Sequence, residues 1–232
     1  VLEAVQTTAL PKGELTEPQT AIIDKQKPMV ALTFDDGPHY TVTPRILDIL
    51  QEHNARATFF VLGNRVDNFP NIIQREYSQG HEIGSHSFSH PQITTLTSDE
   101  IEYQFAETEH RIQQYVPYTT KLVRPPYGQI TQSLKEVLQK TFVLWSIDTQ
   151  DWKTRDKDAI VSEVLNNVKD GDIILMHDMY STTADACEEL IPALIERGYQ
   201  LVTVSELLNA KEITPVAGSV YSRVLSTGNA AS

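Results

Sequence analysis

The chain has 232 residues, 40% of them hydrophobic and 22% charged, enough to build one α/β domain with a full core and no disulfide support. Thirty-one acidic against 19 basic residues leave a net charge of −12, which argues against nucleic acid and against simple adsorption to anionic membranes as partners. No run approaches the roughly 18 apolar residues of a transmembrane segment, and no secretion signal pattern opens the sequence. The single cysteine, Cys187, cannot form an intrachain disulfide, and its setting TTADACEELIPALI reads as the packed side of a helix.

Residues 1–26 are polar, carry two prolines and have weak periodicity, so they read as an extension or linker. MVALTF (29–34) is a short apolar run of the buried-strand type, followed by the turn DDGP and a helical pattern through 44–50. ATFFVLG (57–63) is the next strand, then a helix around Ile72 and Ile73, then the strand HEIGSH (81–86). A long helix starts at Thr97 or Ser98, where Thr97-Ser98-Asp99-Glu100 supplies a cap and early acids. KLVRPP (121–126), TFVLWSID (141–148), DIILMHD (172–178) and YQLVTV (199–204) are further strands, separated by helices at 130–140, 158–169 and 184–197. From Lys211 to Ser232 the pattern fades into a tail. Residues 27–210 thus hold about seven strand–helix units, which predicts a closed or nearly closed (β/α) barrel of parallel strands, with an open doubly wound sheet as the alternative. In either fold the chemistry belongs at the C-terminal strand ends.

Polar candidates fall at those ends. His86 and His90, in HSFSH, are four apart, so one helical turn would put both imidazoles on one face, as ligands of one ion or as a surface pair. Pro91 prevents a long regular helix there. Asp35 and Asp36 end a buried strand, which is costly unless they are solvated in a turn, hydrogen-bonded or bound to a cation. One carboxylate with two histidines leaves coordination open, as in a catalytic site, and the other carboxylate is then free to act as a base. Arg124, stiffened by two prolines, can orient a carboxylate. Asp148, Asp151 and Trp152 either cap and pack the next segment or serve the site as a supporting acid and an apolar wall. His177, after an apolar strand, is a candidate general acid.

Five motifs in order, TFDDGP (33–38), HSFSH (86–90), RPPYG (124–128), DTQDW (148–152) and LMH (175–177), make residues 28–208 resemble the polysaccharide deacetylases of the NodB-homology type, carbohydrate esterase family 4. The resemblance implies a distorted (β/α) barrel of about seven parallel strands. It implies one divalent metal ion on Asp36, His86 and His90, zinc first, with cobalt or another transition ion as alternatives. Asp35 takes the place of the base that activates water, and His177 that of the acid that protonates the leaving amine. Arg124 would steady Asp35, and Asp151 would tune His177 and the arginine. The Tyr127 backbone N–H is similar to the family's oxyanion donor, and Trp152 and Leu175 would line the acetyl-methyl pocket. Ser85 departs from the asparagine that many members carry before the first histidine. His39, His53, His81 and His110 match no functional position. The segment from His177 to Leu208 looks most like deacetylases of N-acetylglucosamine in peptidoglycan, implying a polysaccharide partner and an extracellular or wall-associated location. Chitooligosaccharide deacetylases and acetylxylan esterases share the motifs, and a catalytically inactive glycan-binding barrel is the remaining reading.

Overall fold

A computed structural model describes residues 15–225. Among the described residues there are nine short strands: β1 (Met29–Asp35), β2 (Thr58–Val61), β3 (Glu82–Ser85), β4 (Leu122–Val123), β5 (Thr141–Val143), β6 (Ile147–Asp148), β7 (Ile173–His177), β8 (Gln200–Leu201) and β9 (Val220–Tyr221). They form one curled sheet in the order β6-β7-β1-β2-β3-β4-β5-β9, with β8 on the lower end of β1, and every strand pairing is parallel. The expected NodB-like (β/α) architecture therefore forms.

Nine α-helical segments are described: α1 (Val42–Glu52), α2 (Gly63–Val66), α3 (Pro70–Ser78), α4 (Ser98–Tyr115), α5 (Gln132–Leu138), α6 (Asp151–Thr154), α7 (Lys157–Asn167), α8 (Ser181–Glu196) and α9 (Val204–Ala210). In α1, Val42, Thr43, Ile46, Leu47, Ile49 and Leu50 are buried, the i, i+3, i+4 stripe of a helix laid on a sheet. Each of its large aliphatic side chains contributes roughly 1.5–3 kcal/mol by leaving water. The start of α4 is the capping box anticipated from sequence: Glu100 N–H donates to Thr97 Oγ1 at 3.3 Å, and Thr97 N–H donates to Glu100 Oε2 at 2.8 Å. Cys187 is fully buried on α8, and burial pushes its thiol pKa up.

Alternation along β1 divides the core into two layers. Val30, Leu32 and Phe34 join the cluster shared with α1, α3, α7 and α8, while Met29 and Ala31 join the cluster inside the curl. Thr33 and Asp35 continue the inward row, and β7 repeats the pattern: Ile173 packs inside, Ile174 and Met176 outside. The register sets Asp35 beside His177 across the β1–β7 ladder.

Three local expectations differ from the structure. The run 141–148 is two strands, because Leu144, Trp145 and Ser146 cross between sheet edges; β5 pairs with β4 and β9, whereas β6 pairs with β7. The run 199–204 is strand only at Gln200–Leu201, because Thr203 and Glu206 form a second capping box that starts α9. The third is the segment after Lys211, which is tied to the sheet as far as Val224 rather than trailing, although most of its side chains are exposed. β9 pairs with β5, Arg223 makes an antiparallel bridge and an ion pair with Asp172, and Val224 N–H donates to Gly171 O at 2.8 Å. Gly171 is required there: its φ is +86°, and a β-carbon would lie 1.9 Å from the Val224 carbonyl oxygen. The final segment thus joins β5 at one edge to the base of β7 near the other. At the N-terminal side, Gln19 N–H donates to Ser78 O and the Gln200 side chain brackets Asp24, so residues 19–24 run against the base of the sheet. The first 14 residues of the expected extension and the last seven of the expected tail lie outside the described residues.

Candidate metal centre and active-site cleft

At the C-terminal ends of the strands the inward row turns polar. Arg124, fully buried just after β4, is the largest of the polar groups, and burial pushes its pKa down against the raising effect of Asp35. Each nitrogen of its guanidinium has an acceptor: Nη1 donates to Asp35 Oδ1 at 2.7 Å and Thr33 Oγ1 at 2.8 Å, Nε to Val143 O at 3.2 Å, and Nη2 to Leu144 O at 2.9 Å. The face of Phe60 lies 4.2 Å from its central carbon. The last two acceptors are carbonyls at the break between β5 and β6, so the arginine that orients Asp35 also caps the strand that stops there. Thr33 was not singled out in the sequence, although its inward position on β1 is readable from the alternation with Asp35.

With Oδ1 held by Arg124, Asp35 turns Oδ2 toward the histidines, 3.7 Å from His86 Nε2. Asp36 Oδ1 lies 3.6 Å from His86 Nε2 and 3.6 Å from His90 Nε2. The ligand atoms of Asp36, His86 and His90 all fall within 4.8 Å of one another. No helical turn brings the two imidazoles together. The segment after β3 is irregular, with Ser87 at φ +74° and His90 at φ +59°, and Ser87 Oγ accepts from His90 N–H at 3.0 Å. Two left-handed residues thus do the work assigned to an i, i+4 helical spacing.

This donor set fits one divalent cation. Asp36 Oδ1 is buried without a hydrogen-bond partner, although it faces two ring nitrogens. His86 Nδ1 is 2.6 Å from Arg124 O, so this nitrogen donates and Nε2 keeps its lone pair for the centre. Burial, followed by the neighbouring His86, lowers the pKa of His90 and favours its ligating neutral form. Two imidazoles and one carboxylate leave other coordination positions open.

His177 stands across the cleft. Its Nδ1 lies 2.7 Å from Asp151 Oδ1, and its backbone N–H donates to Asp151 Oδ2 at 2.7 Å. Thr183 Oγ1 donates to the same oxygen at 2.7 Å, and Trp152 N–H donates to Asp151 Oδ1 at 2.8 Å. Four donors thus converge on one buried carboxylate. Burial opposes the charged imidazole, but the hydrogen bond and charge of Asp151, with smaller contributions from Asp35 and Asp36, raise His177 to about 9. Asp151 makes no hydrogen bond to Arg124, whose acceptors all lie elsewhere.

Between the two halves lies a cleft of about 490 Å³, lined by Asp35, Asp36, His86, His90, Tyr127, Asp148, Trp152, Leu175 and His177, with Pro125, Gly128, Trp145 and Tyr180. All ten residues expected at the site converge there except Arg124 and Asp151, which sit directly behind Asp35 and His177. Tyr127 is in the left-handed region at φ +57°, with its ring 4.6 Å from that of His90. Trp152 is half-exposed at the rim, whereas Leu175 is buried. Tyr180, with Arg155 stacked at 3.0 Å on its ring, is a lining residue that sequence reasoning missed; the signal was an aromatic three residues beyond His177. None of His39, His53, His81 and His110 lines this cleft.

A model of the family described as polysaccharide deacetylase matches residues 23–143. The chain belongs to the polysaccharide deacetylase family. Among its relatives in this family is the peptidoglycan-N-acetylmuramic acid deacetylase PdaC of Bacillus subtilis, 44% identical over 203 residues, which are 87% of this chain and 44% of PdaC. A solved structure of PdaC superposes with a TM-score of 0.81 at 45% identity, covering 82% of this chain and 94% of that one. The peptidoglycan-N-acetylglucosamine deacetylase PgdA of Listeria monocytogenes is 41% identical over 187 residues, 81% of this chain and 40% of PgdA. A family 4 acetyl xylan esterase from Clostridium thermocellum, solved in complex with a cobalt ion, matches with a TM-score of 0.81 at 37% identity, covering 84% of this chain and 98% of that one. The chain spans less than half the length of PdaC and PgdA, so these polysaccharide deacetylases carry further sequence beyond the shared domain. Among the described residues, no helix is long and apolar enough to cross a membrane.

Proposed function

We propose that this chain hydrolyses the N-acetyl groups of N-acetylglucosamine residues in peptidoglycan, outside the cell or at its wall, with one zinc ion on Asp36, His86 and His90. The observation that carries this reading is the placement of the Asp36, His86 and His90 cluster between Asp35 Oδ2 on one side and the His177 imidazole, hydrogen-bonded to Asp151, on the other. A divalent ion bound there supplies Lewis acidity and makes water easier to deprotonate. Asp35 Oδ2, facing the cluster while Arg124 holds Oδ1, accepts the proton of the attacking water. Arg124 holds that carboxylate in orientation through its Nη1 contact to Oδ1. The Tyr127 backbone N–H is assigned to the developing oxyanion, and Trp152 and Leu175 to the acetyl methyl.

Cleavage of the amide requires a proton on the departing nitrogen. With Nδ1 engaged by Asp151, the second nitrogen of His177, Nε2, is the one left to deliver it, and a proton affinity raised to about 9 keeps it loaded at neutral pH. The acid therefore starts in the protonation state that the reaction needs.

The test is acetate release from peptidoglycan, N-acetylglucosamine oligomers and acetylated xylan in parallel, each with and without a chelator. Release from the first two, abolished by chelation and restored by zinc, supports the proposal. Release confined to acetylxylan would assign the chain to the esterases, and release from none, with the metal bound stoichiometrically, would make it a glycan-binding barrel. A second reading, N-acetylmuramic acid as the deacetylated sugar, is favoured by the 44% identity to PdaC. Mass spectrometry of muramidase digests locates the free amine on one sugar or the other.

A further inference from the structure

One buried carboxylate beside the cleft has no part in this chemistry. Asp178 follows His177 in the turn just past the end of β7 and packs against the loop that joins β1 to α1. Asp178 is completely buried. Its Oδ2 accepts a hydrogen bond from Thr43 Oγ1 on the first turn of α1, and Thr43 Oγ1 in turn accepts from His39 N–H at 2.7 Å. The carboxylate also lies flat against Gly37: a β-carbon there would sit 2.1 Å from Oδ2 and 2.4 Å from Oδ1. Gly37 is thus glycine because Asp178 fills the space. Asp36, the only carboxylate in the ligand cluster, immediately precedes that contact and is held at φ +72°.

We infer that Asp178 is a positioning residue for the metal centre, gripping the Gly37–Thr43 loop so that Asp36 presents Oδ1 to His86 and His90. The inference rests on the proposed metal site, but not on turnover. Asp178 and His177 are consecutive residues, so the strand that carries the acid also sets the loop that carries the carboxylate ligand. The two halves of the cleft thereby share one mechanical reference. Supporting groups behind metal ligands are worth roughly 10–100-fold in metal affinity where they have been removed.

The experiment is a cobalt(II) titration followed by its visible absorption, with a competing chelator, on the full chain and three variants, with thermal melts of the metal-free proteins alongside. Asp178→Ala is expected to weaken cobalt binding by about 10–100-fold, and Asp178→Asn, which keeps an acceptor for Thr43 in the same volume, to restore most of it. Thr43→Val, which removes the hydroxyl and keeps the shape, is expected to weaken binding by several-fold, and it carries the test if Asp178→Ala does not fold. Wild-type cobalt affinity in Asp178→Ala, or in Thr43→Val where the alanine variant does not fold, with only a lowered melting temperature, would reduce Asp178 to a packing residue. Failure of the deacetylase reading looks different: wild-type protein then binds cobalt and releases no acetate.

Discussion

The His177–Asp151 pair lends itself to a quantitative perturbation. In Asp151→Asn, one oxygen remains to accept from His177 Nδ1–H and Trp152 N–H, while the new amide faces the His177 backbone N–H and the Thr183 hydroxyl, both of which donate to Asp151 in the native protein. The charge that offsets burial is lost, and burial alone lowers an imidazole pKa. His177 should therefore fall from about 9 to below its ordinary 6.5. A change of that size corresponds to about 3 kcal/mol of preference for the charged form. At pH 7.5 the protonated fraction drops from nearly all to below about one tenth, so turnover at that pH should fall at least about tenfold. A bound cation cancels much of the contribution from Asp35 and Asp36 but little of that from Asp151, so the native alkaline limb should lie somewhat under 9. The assay is the pH profile of acetate release, with metal content measured on the same samples. Because the folded protein holds His177 above its unfolded value, the stability this pair contributes is complete below about pH 6.5 and is lost as pH rises through about 9. Melting temperatures of the native protein should decline over that window more steeply than those of Asp151→Asn. An alkaline limb left in place by the substitution would show that Asp151 does not set the proton affinity of the acid.

Asp35→Asn should lower turnover by about 100-fold or more with the metal retained; it should also lower the melting temperature, because Arg124 is then buried without a carboxylate, a change that costs about 3–5 kcal/mol in other proteins. Persistent activity would remove Asp35 as the base. His86→Ala should strip the metal during dialysis against a weak chelator, and unchanged metal content by mass spectrometry would take it out of the ligand set. Glu76 is fully buried on α3, neither carboxylate oxygen has a hydrogen-bond partner, and burial, with the nearby Asp178, raises its pKa well above the usual value. Native stability should therefore fall as pH rises above about 4.5 toward neutrality, and Glu76→Gln should melt higher at pH 7 with a flatter profile; a lower melt at that pH would refute this. Gly171→Ala should destabilise the fold by more than about 1 kcal/mol, because it combines a positive φ with a collision against the Val224 carbonyl. Denaturant titration measures the loss.

Legibility from sequence followed the physics of each feature. β1, β2 and β7 were plain because strands buried on both faces are continuous apolar runs, and the polar residues that end them mark the rim of the cleft. The five motifs place eight of the ten expected site residues on one cleft, with Arg124 and Asp151 behind it. What the sequence did not show were features that depend on distant partners. The split of 141–148 arises because Arg124 takes the carbonyls of Val143 and Leu144. The geometry of His86 and His90 comes from two left-handed residues, whereas their spacing suggested a helical turn. The start of α9 was available in Thr203 and Glu206, but the β-branched run before it masked the capping box. The pairing of Val220–Tyr221 had no amphipathic signature, since two residues are too few to show a period.

That last pairing bears on how the chain reaches its folded state. β5 and β9 meet across some eighty positions of sequence, and Gly171 meets Val224 across about fifty. On a ribosome the β1–β2–β3 ladder can assemble early, from near neighbours, whereas the edges are joined only once residue 224 has emerged. Until then Arg124, Asp35 and the remaining rim groups sit in a sheet whose two sides are free to splay. The ligand cluster, built from β1 and the loop after β3, needs none of that late segment. The cluster and the His177–Asp178 end of β7 beside it can therefore assemble before closure.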